Sequence, residues 1–385
     1  MTDAAPPPAD TSRTGTLVAC GPEQRAEQAR LFAACFKKPL AERGLEWRYD
    51  DVPHGPSVSF VTREAGGATV SGYACNPRLV ISRGDESTAA IVGETGDVMT
   101  HPDWRKRGYF SALDRAAMEE AKRRGWALAF GLPNHRSAHI FLELGWERIG
   151  TVRRWTYLLD GGAAARAERA REGWLRGVLA PLDARRCARK SQRQRRIHAS
   201  ERERMRLGVT YYDRFPRQLA PIARAVERNF GFMIRRDPEY LRWRFLAAPS
   251  RQHMAILVHG AGTSGNPETD DEHVAGYAVL QSRAGAETCF LVDVLGRDDA
   301  TVDTAIDLAL DEAQCRGHKL VQATAIDGTW WSKRLQSWGF LPPRGGSEMS
   351  VIMNPLQPAH PLVAAARDIS NWYFTDGDRD DETVG

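Results

Sequence analysis

The chain has 385 residues, 42% of them hydrophobic and eleven of them tryptophan. That exceeds what one core normally holds, so two domains are expected. It carries a formal charge of +4 and has no run of eighteen apolar residues and no basic, apolar leader, which argues against a membrane span or a secretory signal and for a cytoplasmic protein. The six cysteines lack paired short spacings and the ten histidines form no HxxxH cluster, so neither a disulfide framework nor a metal site is expected.

In chain order, residues 1–15 are rich in Ala, Pro and Thr and read as disordered. Ordered structure is expected from Thr16. Glu23–Phe36 has a helical pattern, Ser57–Thr62 and Val70–Pro77 read as strands, and Thr95–Thr100 reads as a strand feeding a turn. That turn, His101-Pro102-Asp103-Trp104-Arg105-Lys106-Arg107-Gly108, precedes a helix whose residues Phe110, Leu113, Ala117, Met118 and Ala121 recur near helical spacing. Asp114, Arg115, Glu119, Glu120 and Lys122 fall on its other faces. Unpaired amides at a helix N-terminus, the helix dipole and three full charges together suit a pyrophosphate. Gly108 allows close backbone approach.

Gly125 ends this helix, Trp126–Phe130 reads as a buried strand, and Gly131-Leu132-Pro133-Asn134-His135-Arg136-Ser137 opens a second helix running to Leu144-Gly145-Trp146. Residues 161–206 form a basic connector: an apolar stripe of Trp174, Leu175, Val178, Leu179 and Leu182, followed by Arg185, Arg186, Arg189, Lys190, Arg193, Arg195 and Arg196. After it the pattern repeats. Arg217–Phe230 reads as a helix, Met254–Val258, Val274–Gln281 and Thr288–Val294 as strands, and Thr301–Cys315 as a helix. His318–Ala325 reads as a strand and Trp330–Trp338 as a helix.

The strand, basic turn, amphipathic helix, strand and helix between 96 and 145 resemble a GNAT-type acyl-CoA N-acyltransferase. Arg105 and Gly108 match the family's cofactor loop, and Phe110 departs from the usual Gly or Ala. The second half resembles a GNAT unit too, except that its loop, Leu295-Gly296-Arg297-Asp298-Asp299-Ala300, is acidic and should repel a pyrophosphate. The resemblance implies an α+β fold, mixed central β-sheets flanked by helices, with two GNAT-like units in tandem. The expected organisation is a disordered segment 1–15, a GNAT domain 16–160, the connector 161–206, a degenerate GNAT-like domain 207–356 and a C-terminal tail 357–385. A weaker likeness, carried by residues 236–244 and 372–380, is to acyltransferase-like proteins of bacterial polysaccharide-related gene sets. The 236–244 segment reads mainly as a structural helix, with an anionic-substrate role for Arg242 or Arg244 as the other reading.

The implied activity is transfer of an acyl group from acetyl-CoA, or a longer acyl-CoA, to a small-molecule or sugar-linked amine near the cleft between the units. The resemblance places the cofactor on Val98, Met99, Thr100, Arg105, Lys106, Arg107, Gly108, Tyr109 and Phe110, with Asn134 facing the pantetheine arm and Ser137 beside it. Glu94 stands where family members with a strand-borne base carry it. Asp97 is the alternative, on the opposite side of a regular strand. The family's frequent tyrosine acid falls on Phe141, which donates no proton; Tyr109 and Tyr157 are the substitutes, Tyr157 being the candidate retained. His101 and His139 read as solvated. No metal is implied. The connector's apolar stripe either packs against one of the domains with its arginines solvated or, together with those arginines, meets an anionic membrane surface, the second reading placing the protein peripherally at the inner face. Nucleic acid is not an expected partner, although tandem GNAT-like aminoacyl-tRNA-dependent enzymes and a non-catalytic interaction module are the alternatives. The oligomeric state is left open.

Overall fold

In a computed structural model of the chain, the described residues are 15–37, 39–160, 208–212, 214–250, 252–260, 271–283, 285–343 and 348–379. The expected disordered segment 1–15 (all but Gly15) and the basic connector 161–206 lie outside them. Two compact units are formed: Met1–Pro77 with Thr95–Gly125, and Arg78–Glu94 with Trp126–Gly385. These bounds differ from the sequence halves 16–160 and 207–356: two long strands, β3 (Thr69–Ser82) and β4 (Asp85–Thr100), run through both units, and residues 126–160 group with the later half.

In the first unit β1 (Thr16–Ala19) pairs antiparallel with β2 (Val58–Arg63), and β2 pairs antiparallel with β3, from Val58 opposite Cys75 to Arg63 opposite Thr69. Helices α1 (Arg25–Phe36) and α2 (Glu42–Tyr49) pack on each other, and α3 (Tyr109–Arg123) packs on β2. The apolar face read from the sequence is the buried one: Leu113, Ala117, Met118 and Ala121 face inward. Asp114 corrects that reading. It is buried, because its Oδ1 accepts a hydrogen bond from the Tyr73 hydroxyl at 2.8 Å, and Tyr73 in turn accepts one from Thr95 Oγ1 at 2.6 Å. A buried carboxylate is tolerated when it is hydrogen-bonded in this way.

The second unit contains β5 (Ala129–Gly131), α4 (His135–Glu143), β6 (Glu147–Leu158), β7 (Gly208–Tyr212), α5 (Leu219–Glu227), β8 (Phe232–Ile234), α6 (Pro238–Leu241) with a following π-helical turn, and β9 (His253–His259). It continues through β10 (Val274–Gln281), β11 (Thr288–Gly296), α7 (Asp299–Cys315), β12 (Leu320–Ile326), α8 (Trp330–Trp338), β13 (Met349–Asn354), α9 (Pro361–Arg367) and β14 (Trp372–Tyr373). From β5 onward the strand order is β5-β13-β6-β12-β11-β10-β9-β7. All these pairings are antiparallel except β11 with β12.

The order records an exchange between the two sequence halves. Strand β13 of the later half lies between β5 and β6 of the earlier one, and β6 pairs with β12 along Leu158 to Val152. The halves are therefore one hydrogen-bonded structure at this point, since each lends a strand to the other. Between β6, β9–β12, α7 and α8 lies a large apolar core that includes Trp155, Ile256, Leu291, Ile306, Leu310, Trp331 and Trp338.

The expected C-terminal tail is largely interior. Trp372, Tyr373 and Phe374 are buried, the Trp372 ring stacks on Phe232 at 3.8 Å, and β14 pairs with β8. Aromatic area of this size is worth several kcal/mol when it leaves water, which is why a segment with little periodic pattern is held so tightly. Among the described residues no helix is long and apolar enough to cross a membrane.

Candidate active site

In the first unit β4 ends at Thr100 and the chain makes a 3₁₀ turn at Pro102–Trp104 before α3 begins. Arg105, Lys106, Arg107 and Gly108 are all exposed. Lys106 and Gly108 adopt left-handed backbone, φ 64° and 81°, and Gly108 is the N-cap of α3. A glycine cap has no side chain to bind the first-turn amides, and that turn carries no acidic residue. The first i to i−4 bond runs from Ala112 N to Gly108 O, so the amides of residues 109–111 precede the helical ladder. A Cβ at Gly108 would meet nothing within 4 Å. Glycine is needed here for its φ, and the open space above it is where a ligand can approach the backbone. The Arg107 guanidinium lies 4.4 Å over the Trp104 ring, which braces the turn.

The preceding residues are placed by β3. Met99 is buried, and its carbonyl accepts the Ser71 hydroxyl at 2.7 Å; Thr100 Oγ1 is 2.8 Å from the same hydroxyl, and Val98 is half-buried. Tyr109, expected at the cofactor, points inward: its ring is buried and its hydroxyl is bonded to Glu64, with burial first and then that carboxylate pushing its pKa up. Only its backbone is left for a ligand. Phe110 is half-buried. His101 caps the 3₁₀ turn through Nδ1, 3.4 Å from Asp103 N.

Within β4, Asp97 has φ 46°, an unusual value for a non-glycine strand residue. The kink breaks the alternation that would put Asp97 on the far side of a regular strand. Its Oδ2 accepts hydrogen bonds from Arg48 Nη1 at 2.5 Å and the Tyr49 hydroxyl at 2.6 Å, both at the C-terminal end of α2. Its side chain is one-tenth exposed, and Oδ1 has no partner among the described residues. Sequence reading missed Arg48 and Tyr49 altogether, since no local pattern marks a helix whose role is to reach a strand some fifty residues away.

The second unit holds the other candidates. Glu94 is buried and accepts a hydrogen bond from Arg78 Nη2 at 2.6 Å, with the two side chains 2% and 1% exposed; Arg78 also lies 5.2 Å over Trp243. This carboxylate is one half of an interior ion pair. Asn134 is the N-cap of α4, and its Oδ1 accepts from Arg136 N at 2.9 Å and Ser137 N at 3.1 Å, while Ser137 Oγ donates to the same oxygen at 3.2 Å. Its side-chain oxygen thus caps α4. Phe141, in the place of the family's tyrosine, packs edge-on against Trp146 at 4.9 Å. Tyr157 is 1% exposed in the large apolar core, 5.2 Å from Phe340. That position counts against its reading as the acid, because its ring is enclosed by side chains of β6, β12 and α8.

In the corresponding turn of the later half, acidic side chains stand where the earlier turn has basic ones. Asp298 caps α7, its Oδ1 accepting from Thr301 N at 2.8 Å, and Asp299 in the first turn is ion-paired with Arg334. An incoming phosphate would meet carboxylates where the earlier turn offers arginines. In the 236–244 segment Tyr240, Leu241 and Trp243 are buried as a structural helix requires, but two of its arginines are interior and not solvated. Arg236 is fully buried and bonds Asp378 Oδ2 at 2.6 Å, and Arg244 Nε donates to Gly377 O at 3.0 Å, so both arginines fasten the C-terminal segment.

The fold class is that of the α+β GNAT-like proteins, with two such units in one chain. Residues 20–149 match the family model of the acetyltransferase (GNAT) domain. Among solved structures, a probable N-acyltransferase from Enterococcus faecalis V583 has a TM-score of 0.55 at 14% identity, over 89% of this chain and 72% of that one. A GCN5-related N-acetyltransferase from Anabaena variabilis ATCC 29413 has a TM-score of 0.57 at 10% identity, over 89% and 73%. A tandem GNAT protein from the clavulanic acid biosynthesis pathway has a TM-score of 0.50 at 12% identity, over 89% of this chain and 99% of that one. Among curated proteins none matches significantly.

Proposed function

We propose that the protein is an N-acyltransferase that takes an acyl group from a coenzyme A thioester, acetyl-CoA in the first instance, and passes it to a small or sugar-linked amine. One observation carries this reading: in a GNAT domain, α3 starts with a glycine cap, no first-turn acid and three exposed basic residues, an arrangement that favours a pyrophosphate. Backbone amides of the turn and the charges of Arg105, Lys106 and Arg107 hold the phosphates, and the end of β4 lies along the pantetheine arm.

The amine nitrogen attacks the thioester carbonyl carbon, a C–N bond forms, the C–S bond breaks, and the nitrogen loses a proton. Of the two β4 carboxylates, Asp97 suits that proton better than Glu94. One oxygen of Asp97 is anchored by Arg48 and Tyr49 and the other is open, whereas Glu94 is enclosed with Arg78. The departing thiolate is a stable enough anion to leave without a tyrosine acid. Calorimetric titration with acetyl-CoA and longer acyl-CoAs, followed by thiol release with a panel of amines, tests the reading. Failure to bind any acyl-CoA overturns it. Asp97→Asn should lower turnover with the best amine by about a hundredfold, the scale of a general base, while leaving acetyl-CoA affinity unchanged.

A further inference from the structure

The second unit contains a cavity of about 310 Å³ that the acyl-transfer reading does not use. It lies at the later half's own strand-turn-helix junction, where β11 passes into α7, and none of its lining residues falls within the matched segment 20–149. Its wall is aromatic. Phe230, Trp330 and Tyr373 contact one another, with ring centroids 5.0 Å apart for Phe230 and Tyr373, 5.6 Å for Trp330 and Tyr373, and 5.8 Å for Phe230 and Trp330. At its mouth stand Arg297, Asp298 and Asp299.

Aromatic faces carry negative quadrupole potential, and carboxylates beside them add full charge, so together they select cations. The cavity's own surroundings already use that chemistry: the Arg334 guanidinium lies 5.3 Å over Trp330 while it is ion-paired with Asp299. Capacity remains, because the Asp298 and Asp299 side chains are 54% and 74% exposed. Arg297 is 53% exposed and stands 3.4 Å from Asp298, a surface pair of the kind that contributes little and yields readily. A second cation that can also bury apolar groups against the rings has the advantage over it. Phosphate is disfavoured by the same carboxylates, one of which, Asp298, already takes the Thr301 amide of α7.

We propose that this cavity is a binding site for a small organic ammonium ion, with Phe230, Trp330 and Tyr373 covering its apolar groups and Asp298 and Asp299 facing its charge.

The test uses the full-length protein with choline as probe and dimethylbutanol, its neutral carbon isostere, as control, read by calorimetry and by quenching of tryptophan fluorescence. Choline should bind at one saturable site, at least about tenfold more tightly than the isostere. Trp330→Leu and Asp299→Asn should each weaken choline while acetyl-CoA affinity stays the same. Arg297→Gln should tighten choline by removing the competing guanidinium. Equal binding of choline and its isostere, an Arg297→Gln variant that binds choline more weakly, or no saturable choline binding would each overturn the proposal. Because acetyl-CoA is titrated separately, that result stands apart from the outcome for the acyl-transfer reading.

Discussion

Arg78 and Glu94 form an ion pair in the interior of the second unit, 2.6 Å apart and almost wholly shielded from solvent. Removing one member of such a pair leaves a buried charge without its counter-charge, so Glu94→Ala should lose about 3–5 kcal/mol of stability. Chemical denaturation measures this. Replacing both residues together, Arg78→Met with Glu94→Leu, should recover most of the loss, because the desolvation of both charges is then avoided. A Glu94→Gln variant of unchanged stability that loses all turnover would instead restore Glu94 as the base.

Gly108 stands in open space at φ 81°. Gly108→Ala should therefore cost only about 1–2 kcal/mol of left-handed strain and leave a folded protein with weakened acetyl-CoA binding. Gly108→Asp adds a negative charge at the helix N-terminus, where it caps the amides the ligand needs, and should abolish binding in a titration that otherwise reports one site per chain. Retained affinity, or two equivalent sites in the parent protein, would contradict the assignment of the first turn as the acyl-CoA site.

Asn134 has a structural duty that the sequence alone did not reveal. Asn134→Ala removes the cap of α4 and should lower stability by about 0.5–2 kcal/mol. Asn134→Ser, which keeps a capping oxygen, should restore stability. If Asn134 also donates to the pantetheine arm, acetyl-CoA affinity stays low in the serine variant by about 1 kcal/mol, the scale of one neutral hydrogen bond. Equal affinity in the serine variant and the parent would assign the residue to the helix alone.

His253 supplies a pH dependence. Burial first, and then the neighbouring Arg244 charge, push its pKa down to about 3. The unfolded chain binds a proton at His253 below the ordinary imidazole value while the folded protein does not, so stability falls as pH drops from about 6.5 toward 3, by roughly 1 kcal/mol per pH unit for this residue. Urea denaturation at pH 7 and pH 5 should show a steeper decline for the parent than for His253→Phe, whose ring keeps the edge-on contact with Phe245 seen at 5.4 Å. Identical slopes would show that His253 does not titrate between the two states.

Much of the framework was legible locally. The periodicity of Leu113, Ala117, Met118 and Ala121 located α3, Gly108 and its basic neighbours located the turn that opens it, and the acidic 298–299 pair marked the later turn as different, because helix faces, caps and charge are properties of short segments. What only the tertiary structure decided was partnership. That β13 enters between β5 and β6, that Asp114 is buried under Tyr73, that Asp97 is kinked and clamped by Arg48 and Tyr49, and that residues 372–378 are core all depend on contacts between distant parts of the chain. A charged residue reads as solvent-facing until its counter-charge is located. Arg78 and Glu94, sixteen residues apart on neighbouring strands, become an interior pair only once β3 and β4 are folded beside each other.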